Sequence, residues 1–450
     1  MSKKAIGFYT ATSLVIANMI GTGVFTSLGF QAMNIQSVLA LILLWVVGGI
    51  IALCGALSYG ELGAAMPRSG GEYHYLSKIY HPIIGFLSGW VSATVGFAAP
   101  VALSAMALAT YSTKVFPMHF NSQSDSLPWE KLYPVIIASS VVVLITIIHS
   151  TTIKAGRRFQ NIFTALKLLL ILLFIVLGFF IETPQAITLM PQSNLLNSAL
   201  DWKVIFSSAF AVSLVYVSYA YSGWNASSYI AGEIENPQRN LPKSLFWGTL
   251  IVLALYVLLN YIFLYTTPIP ELSGQLEIGY IAASRILGQG GGKIMGLVIA
   301  LLLVSSVSSM IMAGPRVSQV MGEDIKTLKF LSVKNKNGIP VIAIIVQSCI
   351  TLLLIFTSSF EKVLTYVGFT LNLFTFLTVL GLFILRIKKP EIPRPYKTWG
   401  YPVTPVIFLL LSGWTLFFLL KEKTMESLYG LGTVGIGLIF YFVNSRFKRM

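Results

Sequence analysis

From Ala5 to Gly60 the chain carries no charged side chain, and inside that run stands Ile16-Ala17-Asn18-Met19-Ile20-Gly21-Thr22-Gly23-Val24-Phe25. An uncharged apolar stretch of this length belongs in hydrocarbon. There, every backbone N–H and C=O must find a partner within the protein. Gly-Thr-Gly works against that requirement, since each glycine costs about 1 kcal/mol of helix propensity relative to alanine. A break at this depth must be buried in protein or line a watery cavity, and without a Cβ a glycine lets a ligand reach bare backbone. Gly21 to Gly23 is therefore a candidate binding site. The competing reading is close helix packing, because Ser13, Ala17 and Gly21 are small residues at four-residue spacing and would admit a neighbouring helix.

The rest of the chain is equally apolar. Hydrophobic residues make up 55% of the 450, charged residues only 10%, and the mean hydropathy is +0.78, which places the chain among polytopic membrane proteins. Stretches long enough to cross a bilayer run from Ala5 to Gly29, Ser37 to Tyr59, Ile83 to Tyr111, Tyr133 to Ser150, Phe159 to Ile181 and Val204 to Tyr229. They continue from Ser244 to Thr266, Ile294 to Ala313, Val341 to Phe356, Val363 to Leu385, Val403 to Leu420 and Leu428 to Val443. That predicts an all-α integral membrane protein with twelve spans in a single domain over 1–450. With the N-terminus inside, 22 of the 31 Lys and Arg fall in inner loops and termini, 8 fall outside, and Lys167 alone lies within a span. The positive-inside bias puts both termini in the cytoplasm. It also accounts for the net charge of +15 without invoking nucleic acid.

A second interruption decides between ligand site and packing. The sixth span contains Tyr219-Ala220-Tyr221-Ser222-Gly223-Trp224-Asn225, again small and polar residues well inside an apolar run. The second break comes five spans after the first, so each five-span block (5–181 and 204–385) opens on an interrupted helix, with two further helices over 403–443. Paired broken helices of this kind mark the inverted repeats of transporters, with the site near the bilayer midplane. Tyr219, Tyr221 and Trp224 lie too deep for an interfacial aromatic belt and are expected to line that cavity. A side chain placed on Gly23 is expected to block a ligand there.

Lys167 lies eight residues past Phe159, roughly 12 Å into its span at about 1.5 Å per residue, too deep to snorkel easily. A lysine at a helix centre costs about 2.5 to 3.5 kcal/mol on insertion scales and is functional by default. No span interior offers an Asp or Glu to pair with it, Glu61 being at the inner end of the second. Its ammonium is therefore expected to seek the freed carbonyls of the first break, with hydroxyls from Ser305, Ser306, Ser308 and Ser309, although those serines also suit ordinary interhelical bonding.

Other chemistries find little support. Cys54 and Cys349 both lie in apolar runs, giving neither a disulfide framework nor a metal set. His149 stands at the inner end of a span and His74, His81 and His119 in loops, so no span holds a nucleophile with its base. Gly290-Gly291-Gly292-Lys293 lacks the Ser or Thr and the preceding strand of a phosphate loop. The loop from Ile269 to Gly292 is expected to form a short lid helix. No enzyme activity, metal or cofactor is expected.

The chain resembles the amino acid-polyamine-organocation superfamily, within it the L-type amino acid transporter-like branch and its bacterial relatives. The resemblance covers nearly the whole chain. It rests on Ile20-Gly21-Thr22-Gly23-Val24-Phe25, on Glu61-Leu62 through Pro67-Arg68-Ser69-Gly70-Gly71-Glu72-Tyr73, on Tyr219 to Asn225, and on Glu233-Ile234-Glu235-Asn236-Pro237 with Arg239 and Pro242. It implies a LeuT-like fold and alternating access for an amino acid at the plasma (inner) membrane. The α-carboxylate would rest on N–H groups around Thr22 and Gly23, and the α-amino group on carbonyls of Met19, Tyr219, Ala220 and Ser222. Ile20, Gly21, Tyr221, Gly223 and Trp224 complete the expected substrate site. Tyr219 falls at the family's aromatic gate and Asn225 at a polar cavity residue. Lys167 falls where sodium-coupled relatives hold a sodium ion, and Ser306 and Ser309 are expected to complete that coupling or structural cation site. Ser222 departs from the Gly or acidic residue of many members. The implied function is sodium-independent transport of neutral, preferentially small, L-amino acids, by exchange or with proton coupling. A carrier of cationic amino acids or polyamines is the nearest alternative, and a membrane receptor or assembly protein that binds an amino acid without moving it is the alternative from another class.

Overall fold

Two helices share the first predicted span. The computed structural model describes residues 6–118, 129–151, 156–185, 187 and 203–447, and in it α1 (Phe8–Met19) stops at the glycine pair before α2 (Gly23–Ala32) begins. Together they form one apolar segment, Phe8–Ala32. α3 (Val38–Ala65) starts at Ser37, whose hydroxyl accepts the Ala40 N–H at 3.2 Å, an N-cap that satisfies one of the orphan donors of a new helix. The short α4 (Gly71–Ile79) follows, then α5 (Pro82–Val91) and α6 (Ala98–Val115) joined through a π turn, Ser92–Gly96. α7 (Trp129–Thr151) and α8 (Gly156–Gly178) complete the first half.

The second half opens on another interrupted element. α9 (Ser208–Tyr221), capped by the Ser207 hydroxyl, gives way after Ser222 and Gly223 to the single turn α10 (Ala226–Tyr229). Then come α11 (Pro237–Thr266), the turn α12 (Ile269–Leu272), α13 (Ile278–Asp324), α14 (Val341–Thr357), α15 (Phe360–Lys388), α16 (Val403–Glu422) and α17 (Thr424–Phe447). The expected lid helix is only that one turn of α12. Most of the predicted loop is instead the start of α13, bent at Gly288, where φ is +72°.

Among the described residues nine helical segments are long and apolar enough to cross a membrane. Three shorter apolar helices, Ile162–Gly178, Ser208–Tyr221 and Val341–Thr357, stand where the sequence predicts spans five, six and nine. Large apolar side chains face outward on the peripheral helices, among them Leu144, Leu169, Leu353, Phe417 and Ile439. Such a surface suits hydrocarbon rather than water.

Small residues set how closely the central helices approach. A Cβ on Gly48 would meet the Val217 side chain at 2.3 Å, and one on Gly55 would meet Trp224 at 2.8 Å, so α3 presses on α9 and on the sixth-span break through its glycine face. At the end of the bundle where α1 starts, the fully buried Glu61 carboxylate of α3 takes two donors from Arg386 of α15, at 2.9 and 2.6 Å, and the Thr398 N–H at 2.6 Å. A buried carboxylate met this fully ties the two helix ends together, since removing one partner would strand a charge.

Candidate functional site

The two interruptions meet. Gly23 of α2 lies against Ala220 of α9 so closely that a Cβ on it would stand 2.5 Å from the Ala220 Cα, and the Thr22 and Tyr219 hydroxyls lie 3.1 Å apart, both buried. The Ser27 hydroxyl donates to the Tyr216 carbonyl at 3.3 Å, extending the same contact one turn along. At the other break Gly223 turns with φ +97°, and a Cβ there would collide with the Asn18 carbonyl at 2.8 Å. Each interruption therefore needs its glycine to accommodate the other.

Breaking α1 at Ile20 frees backbone groups that a continuous helix would pair. Among the described residues the Gly21 N–H meets the Tyr256 hydroxyl, whereas the N–H groups of Thr22 and Gly23 donate to no protein carbonyl or side chain. They sit at the start of α2, where the helix dipole and orphan donors favour an anion. Two freed carbonyls are already satisfied. The Met19 carbonyl accepts the Tyr256 hydroxyl at 2.6 Å, and the Ile20 carbonyl accepts the Lys167 ammonium at 3.2 Å. Lys167, 4% exposed, also donates to the Ser306 hydroxyl at 2.8 Å, so α8, α13 and the first break are joined at one cation. Ser309 does not take part. Its hydroxyl turns back to the Ser305 and Ser306 carbonyls of its own helix.

Of the three aromatic residues expected in a cavity, only Tyr219 faces the first break. Tyr221 points the other way, donating to the Trp45 carbonyl at 3.0 Å and packing on Trp45 and Tyr256. Trp224 stands edge-on to Tyr59, with centroids 4.7 Å apart, in the space left by Gly55. The cause is local. Helical residues two apart point about 200° apart, so Tyr221 cannot share the face of Tyr219, and the left-handed turn at Gly223 re-aims Trp224 and Asn225. Met19, Ile20, Gly21, Thr22, Gly23, Tyr219, Ala220, Ser222 and Gly223 gather at the meeting point, whereas the side chains of Tyr221, Trp224 and Asn225 leave it.

Asn225 instead donates to the Glu72 carboxylate at 3.0 Å, on the same oxygen that accepts the Tyr59 hydroxyl at 2.7 Å. Burial pushes the Glu72 carboxyl up to about 7, against the lowering effect of those two donors. Tyr256 and Glu72 are the site's neighbours that sequence reasoning passes over. Tyr256 is a tyrosine in an uninterrupted span, and Glu72 is an acid in a loop rather than a span.

Residues 6–439 match the family described as "Amino acid permease". The chain is 30% identical to the human "Large neutral amino acids transporter small subunit 2", with 98% of this chain and 80% of that protein aligned. It is 28% identical to the human "b(0,+)-type amino acid transporter 1", with 99% and 89% aligned. The mouse "Large neutral amino acids transporter small subunit 2" is also 30% identical, over 98% of this chain and 81% of its own length.

Proposed function

Because the chain belongs to the amino acid permease family, we propose that it carries neutral L-amino acids across the plasma (inner) membrane, sodium-independently and by alternating access. The observation that carries this reading is the meeting of the two breaks, Gly23 on Ala220 and Thr22 on Tyr219. The α-carboxylate sits on the N–H groups of Thr22 and Gly23, at the positive end of α2. The α-amino group turns to the end of α9, toward the carbonyls of Ala220 and Ser222, since those of Met19, Ile20 and Tyr219 have donors already. The arrangement is that of a LeuT-like five-plus-five inverted repeat with two added helices, as the positions of the interrupted helices support.

Lys167 supports sodium independence. Its ammonium stands beside the break on one carbonyl and one hydroxyl, oxygen donors of the kind a sodium ion would otherwise use. The basic bias of the inner loops supports cytoplasmic termini. Ser222 in place of glycine, with Ala220 pressed on Gly23, favours small side chains such as alanine and serine. The names of the relatives give the competing reading, large neutral or cationic substrates. Proteoliposomes holding the purified protein and unlabelled alanine should accumulate labelled alanine by counterflow, equally in sodium and in choline. Binding without counterflow would make the protein a receptor, and collapse in choline would refute the role given to Lys167.

A further inference from the structure

We propose that Glu72 is a proton-binding site of the inner gate, occupied while the gate is shut and emptied when it opens. This rests on the alternating-access reading above and adds to it a group that exchanges protons with the inner side. Glu72 stands at the start of α4, and the loop before it is fastened to the turn after the sixth-span break. Gly70 N–H donates to the Tyr229 carbonyl at 3.1 Å and Gly232 N–H to the Ser69 hydroxyl at 3.1 Å. Gly71, with φ +50°, lies so close to Tyr229 that a Cβ would meet its ring at 2.9 Å. Across this seam the carboxylate of Glu72 is the polar centre. One oxygen takes both the Tyr59 hydroxyl of α3 and the Asn225 amide that lies beyond the break. The seam therefore joins α3, α4 and the segment whose movement would open the site inward.

What distinguishes Glu72 from the other buried acid at this end is the lack of a cation. Glu61 is met by Arg386 and Arg394. Glu72, 4% exposed, forms no ion pair among the described residues. Its titratable neighbours are neutral phenols, Tyr59 on α3, Tyr75 on its own helix and Tyr229 on α10. α5 contributes no titratable side chain. α13 brings Asp324, which accepts the Tyr73 hydroxyl at 2.9 Å, and α15 brings Arg386, bound to Glu61. His74 and Lys78 of α4 line a separate cavity of about 330 Å³ with Arg68 and Lys389. A carboxylate buried without a counter-charge is costly, and taking up a proton removes the cost.

Opening the seam would admit water to Glu72 and return its carboxyl toward the ordinary range, so a proton leaves as the gate opens. Linkage then makes opening harder in acid. With the closed-state carboxyl at about 7, opening becomes about tenfold more favourable between pH 6 and pH 8. The proton goes to bulk water on the inner side, and the reaction needs no other partner.

Two measurements test this. In counterflow with pH equal on both sides, wild-type exchange should rise several-fold, up to about tenfold, from pH 6 to pH 8. Glu72→Gln, neutral at every pH, should lose that slope, and Glu72→Asp should keep one. A flat wild-type profile, or an unchanged slope in Glu72→Gln, would overturn the proposal. Should Glu72→Gln be inactive, infrared difference spectra of the wild type in detergent decide. A carboxylic-acid C=O band that disappears on titration through neutral pH, and is missing from Glu72→Gln, is expected, and its absence from the wild type at pH 6 would overturn the assignment. Failure of wild-type counterflow at every pH would instead count against the transport reading, which the infrared measurement does not depend on.

Discussion

Two glycines one residue apart should fail in different ways when given a methyl group. A Cβ on Gly21 would meet nothing nearer than the Met19 carbonyl at 4.0 Å, and its φ lies outside the left-handed range. Alanine there fits the protein, and its methyl enters the space proposed for the substrate carboxylate. A Cβ on Gly23 would stand 2.5 Å from the Ala220 Cα and 2.7 Å from its Cβ. Carbon contacts are comfortable only from about 3.5 Å, so α2 and α9 must part by about 1 Å, and overpacking of that kind costs about 1 to 3 kcal/mol. Gly23 is thus a poor probe of ligand approach, because its substitution first separates the helices that make the site. We expect Gly21→Ala to keep the wild-type melting temperature in detergent while its apparent affinity for alanine in counterflow falls tenfold or more, about 1.4 kcal/mol of binding. Gly23→Ala should melt at a lower temperature. Wild-type affinity in Gly21→Ala would refute the carboxylate site, and wild-type stability in Gly23→Ala would refute the packing described for the paired breaks.

Lys167→Met removes the ammonium from the Ile20 carbonyl and Ser306, and should abolish counterflow while the protein stays monodisperse by size-exclusion chromatography. Tyr256→Phe leaves the Met19 carbonyl without its donor, which should cost about 1 to 3 kcal/mol, read as a lower melting temperature. Alanine and serine should compete for uptake at far lower concentrations than arginine or putrescine, because a second cation finds Lys167 beside the site and no ionised carboxylate within it; equal competition by arginine would promote the cationic reading. Glu72, held at about 7 in the folded protein against an ordinary carboxyl range, binds more protons folded than unfolded, so its contribution costs stability as pH rises and is complete above pH 7, about 3 kcal/mol. His74, pushed down to about 4 by burial and by Arg68 and Lys78, acts in the opposite sense below pH 6.5, so the melting temperature of Glu72→Gln relative to wild type should be compared at pH 6.5 and pH 8, where it should rise.

The breaks were legible because they violate a rule that hydrocarbon enforces. Glycine and polar residues deep in an apolar run need a reason, and Gly21, Thr22, Gly23, Ser222 and Gly223 have one in each other. Lys167 was legible for the same cause, and the scarcity of acids in the spans left backbone carbonyls and hydroxyls as its partners. The residues that sequence misplaced obey that rule while depending on rotation. Nothing in the run Tyr219 to Trp224 says which ring follows the helix face and which follows the turn at Gly223, so Tyr221 and Trp224 read as cavity lining although they pack on Trp45, Tyr256 and Tyr59. Tyr256 was hidden because its span is continuous, and a tyrosine there is indistinguishable from core until the Met19 carbonyl is placed beside it. Glu72 was hidden by the opposite error. A charge in a loop is presumed hydrated, but α4 folds back into the bundle and buries it against Asn225, a residue the sequence assigned to the substrate. The reassignment of Asn225 matters mechanistically, because it moves that side chain from recognising the amino acid to holding the seam that must open for release. Asn225→Ala should therefore alter the pH dependence of exchange more than the order in which amino acids compete for uptake.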